Sequence, residues 1–122
     1  MNLIIDIGNT CAKLVCFDNG DVIEGIRTDK DDVAALRLFC SKYAFSRGIL
    51  SCVSDVSPEY SKALAELPFS IMEFKSGITP IPIINKYSTP LTLGADRLAA
   101  AVGANALSPG RDILIVDVGT CV

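Results

Sequence analysis

Within "LIIDIGNTCAK", Asp6, Gly8, Asn9, Thr10 and Lys13 bring a carboxylate, a glycine turn, an amide, a hydroxyl and a cation close together. That set suits a polyphosphate. Glycine lets the main chain approach an anion with no Cβ in the way, Asn9 and Thr10 can donate hydrogen bonds, and Lys13 is a point charge. Asp6 would repel bare phosphate, so its use there requires a Mg²⁺ ion or that ion's water shell. The same residues also read as a plain hairpin turn with an acid at its base and a solvated lysine.

A partial echo follows more than a hundred positions later, in "LIVDVGTCV", where Asp117-x-Gly119-Thr120 again ends an apolar run. Two similar hairpins facing each other across a cleft would hold phosphates between them. Ahead of the echo lies "LGADR", Leu93 to Arg97. Gly94 permits a tight loop, Asp96 falls in a first helical turn whose dipole favours an anion, and Arg97 offers a rigid fork for a carboxylate. Neighbours on a helix diverge by about 100°, so Asp96 and Arg97 can address different parts of one small ligand. An ordinary helix start with a stabilising acid and a solvated Arg reads the same way. The chain has no histidine, so any general base must be a carboxylate, Lys or Tyr. An aspartate suffices for phosphoryl transfer, whose loose transition state asks mainly for alignment and charge stabilisation.

These groups need rigid supports. Apolar runs at 2–7, 11–17 and 21–28, separated by Gly8-Asn9 and Asn19-Gly20, predict an antiparallel meander with positive φ at both turns. Asp31 or Asp32 can cap a helix with an apolar face of Val33, Leu36, Phe39 or Cys40, and Tyr43, ending near Gly48. "GILSCVS" reads as a buried strand, Ser57-Pro58 as the start of a helix that stops before Pro68, and "FSIMEF" as another strand. Pro80, Pro82 and Pro90 predict a long irregular connection from Gly77 to Pro90, of the kind that often carries function. A small-residue helix bounded by Gly94 and Pro109-Gly110 follows, then a buried strand, "DILIVDVG". The fold class is α/β, with a β-β-β-α-β-α-β core, then a helix and a further strand.

Composition narrows the partners. The 122 residues carry 11 Lys and Arg against 14 Asp and Glu, a net charge of −3, so no basic footprint for nucleic acid exists. The start lacks a basic leader and no apolar run is long enough to span a bilayer, which predicts a cytoplasmic protein away from membranes. Five cysteines, Cys11, Cys16, Cys40, Cys52 and Cys121, form no Cys-x-x-Cys pair and sit beside apolar residues, so reduced, buried thiols are expected.

Taken together the motifs resemble those of the acetate and sugar kinase and actin superfamily, where paired glycine turns hold nucleotide phosphates between two ribonuclease-H-like domains. Within it they are similar to those of type III pantothenate kinases. Asp6-x-Gly8-Asn9-Thr10-x-x-Lys13 resembles that family's first phosphate motif, "LGADR" its substrate motif, and Asp117-x-Gly119-Thr120 the start of its second phosphate motif, with Cys121 where Ala is common. The resemblance implies ATP-dependent phosphorylation of pantothenate to 4'-phosphopantothenate, the entry to coenzyme A. It implies ATP contacts from Asp6, Ile7, Gly8, Asn9, Thr10, Cys11, Ala12, Lys13 and Thr120, and substrate contacts from Tyr87, Gly94, Ala95, Asp96 and Arg97, with Asp96 as the base. It also implies Mg²⁺ near Asp6, a monovalent cation (K⁺ or NH₄⁺) on Asp117, and a homodimer. By family proportions, residues 1–110 form a first ribonuclease-H-like domain and 111–122 the first strand and phosphate turn of a second. The chain would thus be an amino-terminal half with little turnover alone. Another small-molecule kinase or phosphatase of the superfamily, or a nucleotide-binding regulator without turnover, are the competing readings.

Overall fold

The computed structural model describes residues 1–118, in two compact units, Met1–Phe74 and the chain from Lys75 on. In the first unit, β1 (Asn2–Ile7), β2 (Cys11–Asp18) and β3 (Asp21–Asp29) form the expected antiparallel meander. The β2–β3 turn has positive φ at Asn19 (50°) and Gly20 (97°), which Asn-Gly supplies with little strain. β4 (Arg47–Cys52) lies parallel to β1, and β5 (Ser70–Glu73) parallel to β4. The sheet order is β3-β2-β1-β4-β5, with the first strand at its centre.

Strand periodicity decides the core. Leu3, Ile5 and Ile7 of β1 and Ala12, Leu14 and Cys16 of β2 point to one face and are fully buried. They share a cluster with Leu36 and Phe39 of α1 (Val33–Ser41) and with Tyr60 and Ala63 of α2 (Pro58–Ala65). Both helices start as their sequences predict. Asp32 accepts a hydrogen bond from the Ala35 amide at 2.9 Å, and the Ser57 hydroxyl accepts one from the Tyr60 amide at 3.2 Å, with Pro58 at the first helical position.

α1 ends at Ser41, well before Gly48. The sheet imposes this stop: β4 begins at Arg47, in register with Asn2, and the Ser46 amide donates to the Met1 carbonyl at 3.0 Å. Residues 42–46 are therefore spent returning to the sheet. Tyr43 lies in that return, its ring 5.7 Å from those of both Phe39 and Phe45.

The Tyr43 hydroxyl donates a short hydrogen bond to the Glu24 carboxylate, which also accepts from Lys42 Nζ at 3.0 Å. The Tyr43 bond, then that of Lys42, holds Glu24 below its ordinary 4.5, while the same carboxylate, helped by desolvation, pushes Tyr43 up to about 12. A carboxyl with a depressed folded pKa contributes stability above its unfolded pKa and loses it as pH falls through the folded value. Tyr43→Phe is accordingly expected to destabilise at neutral pH, with the gap to wild type closing below about pH 4.5. Urea unfolding at stepped pH measures this; a gap that stays constant into acid would remove the carboxylate from the account.

In the second unit, residues 77–89 carry no regular element, in keeping with Pro80 and Pro82, and a short 3-10 turn covers Pro90–Thr92. α3 (Ala95–Leu107) then begins behind Gly94 and ends before Pro109-Gly110, as expected. The strand expected over 112–119 is not formed in its described part: residues 112–118 have no regular structure and belong to no sheet. Leu114 is 89% exposed. An apolar segment becomes a strand only where neighbours take up its N–H and C=O groups, and none of the described strands pairs with this one.

Candidate active site

Parallel pairing brings the carboxyl ends of β1 and β4 to the same edge of the sheet, the edge where ligands bind in open α/β sheets. The Gly8–Thr10 turn lies there. The Gly8 amide donates to the Cys11 carbonyl at 2.9 Å, closing the turn. Two bonds from the segment after β4 fix it in place: the Val53 amide donates to the Ile7 carbonyl at 3.0 Å, and the Ser54 hydroxyl to the Gly8 carbonyl at 2.9 Å. The positive φ expected at Gly8-Asn9 is not adopted; among the described residues only Asn19, Gly20, Gly77 and Gly110 have it. A three-residue connection closed in this way reverses the chain without a left-handed residue, and a Cβ at position 8 would meet only the Cys11 carbonyl, at 3.4 Å.

The side chains divide by strand face. Ile7 and Ala12 are buried in the core and can offer a ligand only their backbone, and Cys11 is half-buried. Asp6 and Lys13 point to the opposite face, with Asn9 and Thr10 exposed beyond them. Lys13 Nζ stands 3.9 Å from Asp6 Oδ2, at side-chain exposures of 60% and 36%. Register extends this into a polar row across four strands: Arg27 opposite Lys13, Lys13 opposite Asp6, and Asp6 beside Ser51. Lys13 and Arg27 are like charges directly opposite in an antiparallel pair, an unfavourable arrangement, with Asp6 beside Lys13 and Asp29 two residues from Arg27 on the same face. Arg27, Ser51 and Ser54 escaped the sequence reading because only strand register and the β4 connection bring them here.

The second set of candidates belongs to the other unit. Asp96 is in the first turn of α3, exposed, and its Oδ1 accepts from the Arg97 amide at 2.9 Å. Any Cβ at position 94 would collide with that oxygen, so Gly94 makes room for the carboxylate. Gly94 has no side chain to cap α3, and the Asp96 carboxylate takes one first-turn amide instead, that of Arg97. Arg97 is exposed and Ala95 half-buried. Tyr87 is 48% exposed, and its amide donates to Asn85 Oδ1 at 3.0 Å in a local turn. Asp117 is exposed, and Thr120 lies outside the described residues.

Among the described residues no group of three His, Cys, Asp or Glu side chains could hold a metal ion. One strand-end carboxylate with hydroxyls nearby instead fits Mg²⁺, which keeps several waters and takes much of its coordination from substrate phosphates. Cys11, Cys16, Cys40 and Cys52 are free; Cys16 is fully buried as expected, whereas the other three are half-buried. A groove of about 480 Å³ lined by Leu50, Cys52, Leu64 and Glu73 opens on the helical side of the sheet, away from the Asp6 face. No helix among the described residues is long and apolar enough to cross a membrane.

A mixed five-stranded sheet of this order, with a glycine turn at the carboxyl end of its central first strand, is the arrangement of an actin-like ATPase domain. The profile of the type III pantothenate kinases matches residues 2–122, and the chain belongs to that family. It is 50% identical over 122 residues to the type III pantothenate kinase of Phocaeicola vulgatus and 43% identical to that of Bacteroides fragilis, in each case over all of this chain. Against the Porphyromonas gingivalis enzyme of the same name the identity is 34%, over 99% of the chain. The chain spans about half the length of these curated relatives, 50%, 50% and 49% respectively.

Proposed function

We propose that the protein carrying this chain transfers the γ-phosphoryl group of ATP to the primary alcohol of pantothenate, giving 4'-phosphopantothenate and ADP. The observation that carries this is the polar row and glycine turn at the carboxyl end of β1, in a chain of the pantothenate kinase family. Residues 1–110 would form the first ribonuclease-H-like domain, and 111–122 would open the second.

In this reading the Asn9 and Thr10 amides and the Thr10 hydroxyl donate to phosphate oxygens, Gly8, whose own amide closes the turn on Cys11, leaves the approach open, Lys13 balances the charge, and Ile7, Cys11 and Ala12 hold the turn's shape. Thr120 would be a further nucleotide contact. Asp6 would hold Mg²⁺ through its water shell, and Asp117 a monovalent cation, K⁺ or NH₄⁺. Bound there, the metal would neutralise charge on the phosphates. Asp96 orients the pantothenate hydroxyl and finally accepts its proton, while Gly94, Ala95, Arg97 and Tyr87 bind the substrate, Arg97 through its carboxylate. The enzyme would work in the cytoplasm as a homodimer.

ADP release by the complete gene product, followed with and without pantothenate and K⁺, tests the proposal. Pantothenate-dependent ADP is expected; its absence would overturn the reading. A different small alcohol as the only productive acceptor would point to another kinase of the superfamily.

A further inference from the structure

Among the described residues, two buried side-chain oxygens have no hydrogen-bond partner: Tyr60 Oη, inside the core, and Ser51 Oγ, in the polar row. The second stands beside Asp6. Ser51 and Asp6 are register partners in the parallel β1–β4 pair, where partners project to the same face about 4.8 Å apart. A buried hydroxyl without a partner is unfavourable, and one turn about its Cα–Cβ bond is all that Ser51 has available to relieve it. The Asp6 carboxylate is the charged acceptor on the neighbouring strand. It is engaged from its other side by Lys13, which in turn faces Arg27.

We propose that Ser51 is a positioning residue for Asp6, exchanging places with Lys13 when phosphate binds. This inference rests on the phosphate-site reading above and deepens it. A phosphate between Lys13 and Arg27 relieves the conflict between those two cations and draws Lys13 away from Asp6. The carboxylate then lacks its ion-pair partner. The Ser51 hydroxyl, already desolvated and one strand away, donates to one Oδ, and this fixes which way the other Oδ faces the water shell of the divalent ion. Outer partners of this kind orient a carboxylate and tune its hold on a metal.

The test is nucleotide affinity, measured by calorimetry on the complete gene product with a non-hydrolysable ATP analogue, once in Mg²⁺ and once in EDTA. Ser51→Ala is expected to weaken binding in Mg²⁺ about 10-fold, to leave the EDTA value unchanged, and not to lower the melting temperature. Ser51→Thr, which keeps the hydroxyl, should restore the Mg²⁺ value. A merely structural serine would lower both affinities and the melting temperature together, and that result would overturn the assignment. So would a Ser51→Ala protein with wild-type affinity in Mg²⁺. A wild type that fails to bind the analogue under either condition would instead remove the phosphate site itself.

Discussion

Asp96→Asn is expected to reduce pantothenate-dependent ADP release about 10²- to 10⁴-fold, the usual contribution of a positioned general base. Asparagine keeps the size of the side chain and the oxygen that accepts from the Arg97 amide, so the first turn of α3 should survive the change. It also fits the space that Gly94 leaves. What it loses is the ability to take a proton. Because Asp96 stands in a different motif from the β1–β2 turn, nucleotide affinity should hold while turnover falls. Steady-state rates combined with nucleotide binding separate the two quantities. An undiminished rate would withdraw the base assignment and leave the kinase reading intact.

Lys13→Ala should lower kcat/KM for ATP about 10²- to 10³-fold, the range seen when one preorganised group stabilising transferred charge is removed. The opposite holds for stability. The Lys13–Asp6 pair is 3.9 Å apart and largely exposed, and such pairs are worth about 0–1 kcal/mol. A protein that melts like wild type yet barely uses ATP is therefore the expected phenotype. Lys13→Arg should recover only part of the loss, because a planar fork on a different stem does not replace a compact ammonium. ATP dependence unchanged in Lys13→Ala would exclude Lys13 from the phosphate site and leave Arg27 as that face's remaining cation near the turn.

Both predictions concern residues that their types and spacing expose. The Asp-x-Gly-Asn-Thr-x-x-Lys run and Gly-Ala-Asp-Arg combine groups whose chemistry can be named without coordinates, and each is local. Local signals also placed the meander, the caps at Asp32 and Ser57, Pro58 at the start of α2, and the limits of α3. Burial alternates along β1 and β2 in the structure, whereas their sequences read only as apolar runs that do not mark which face is covered.

Other features had no local signal. The helical spacing of Leu36, Phe39 and Tyr43 continues past Ser41, but β4 must begin opposite Asn2, and that long-range demand ends α1 early. Gly8-Asn9 looks like the left-handed turn that Asn19-Gly20 forms, yet bonds from Val53 and Ser54 hold it in another shape. The apolar run at 112–118 has the composition of a strand but pairs with none of the described strands, and composition cannot supply the partner that a strand requires.

Sequence alone therefore determined the chemistry available to this protein: which groups could bind phosphate and which could accept a proton. Those follow from residue type and from short spacings along one chain. Tertiary structure decided the company they keep. Placing β1 at the centre of the sheet, between an antiparallel and a parallel neighbour, set Lys13 and Arg27 on one side of Asp6 and Ser51 on the other. Register between strands distant in sequence depends on the packing of the whole core, and no single stretch of residues encodes it.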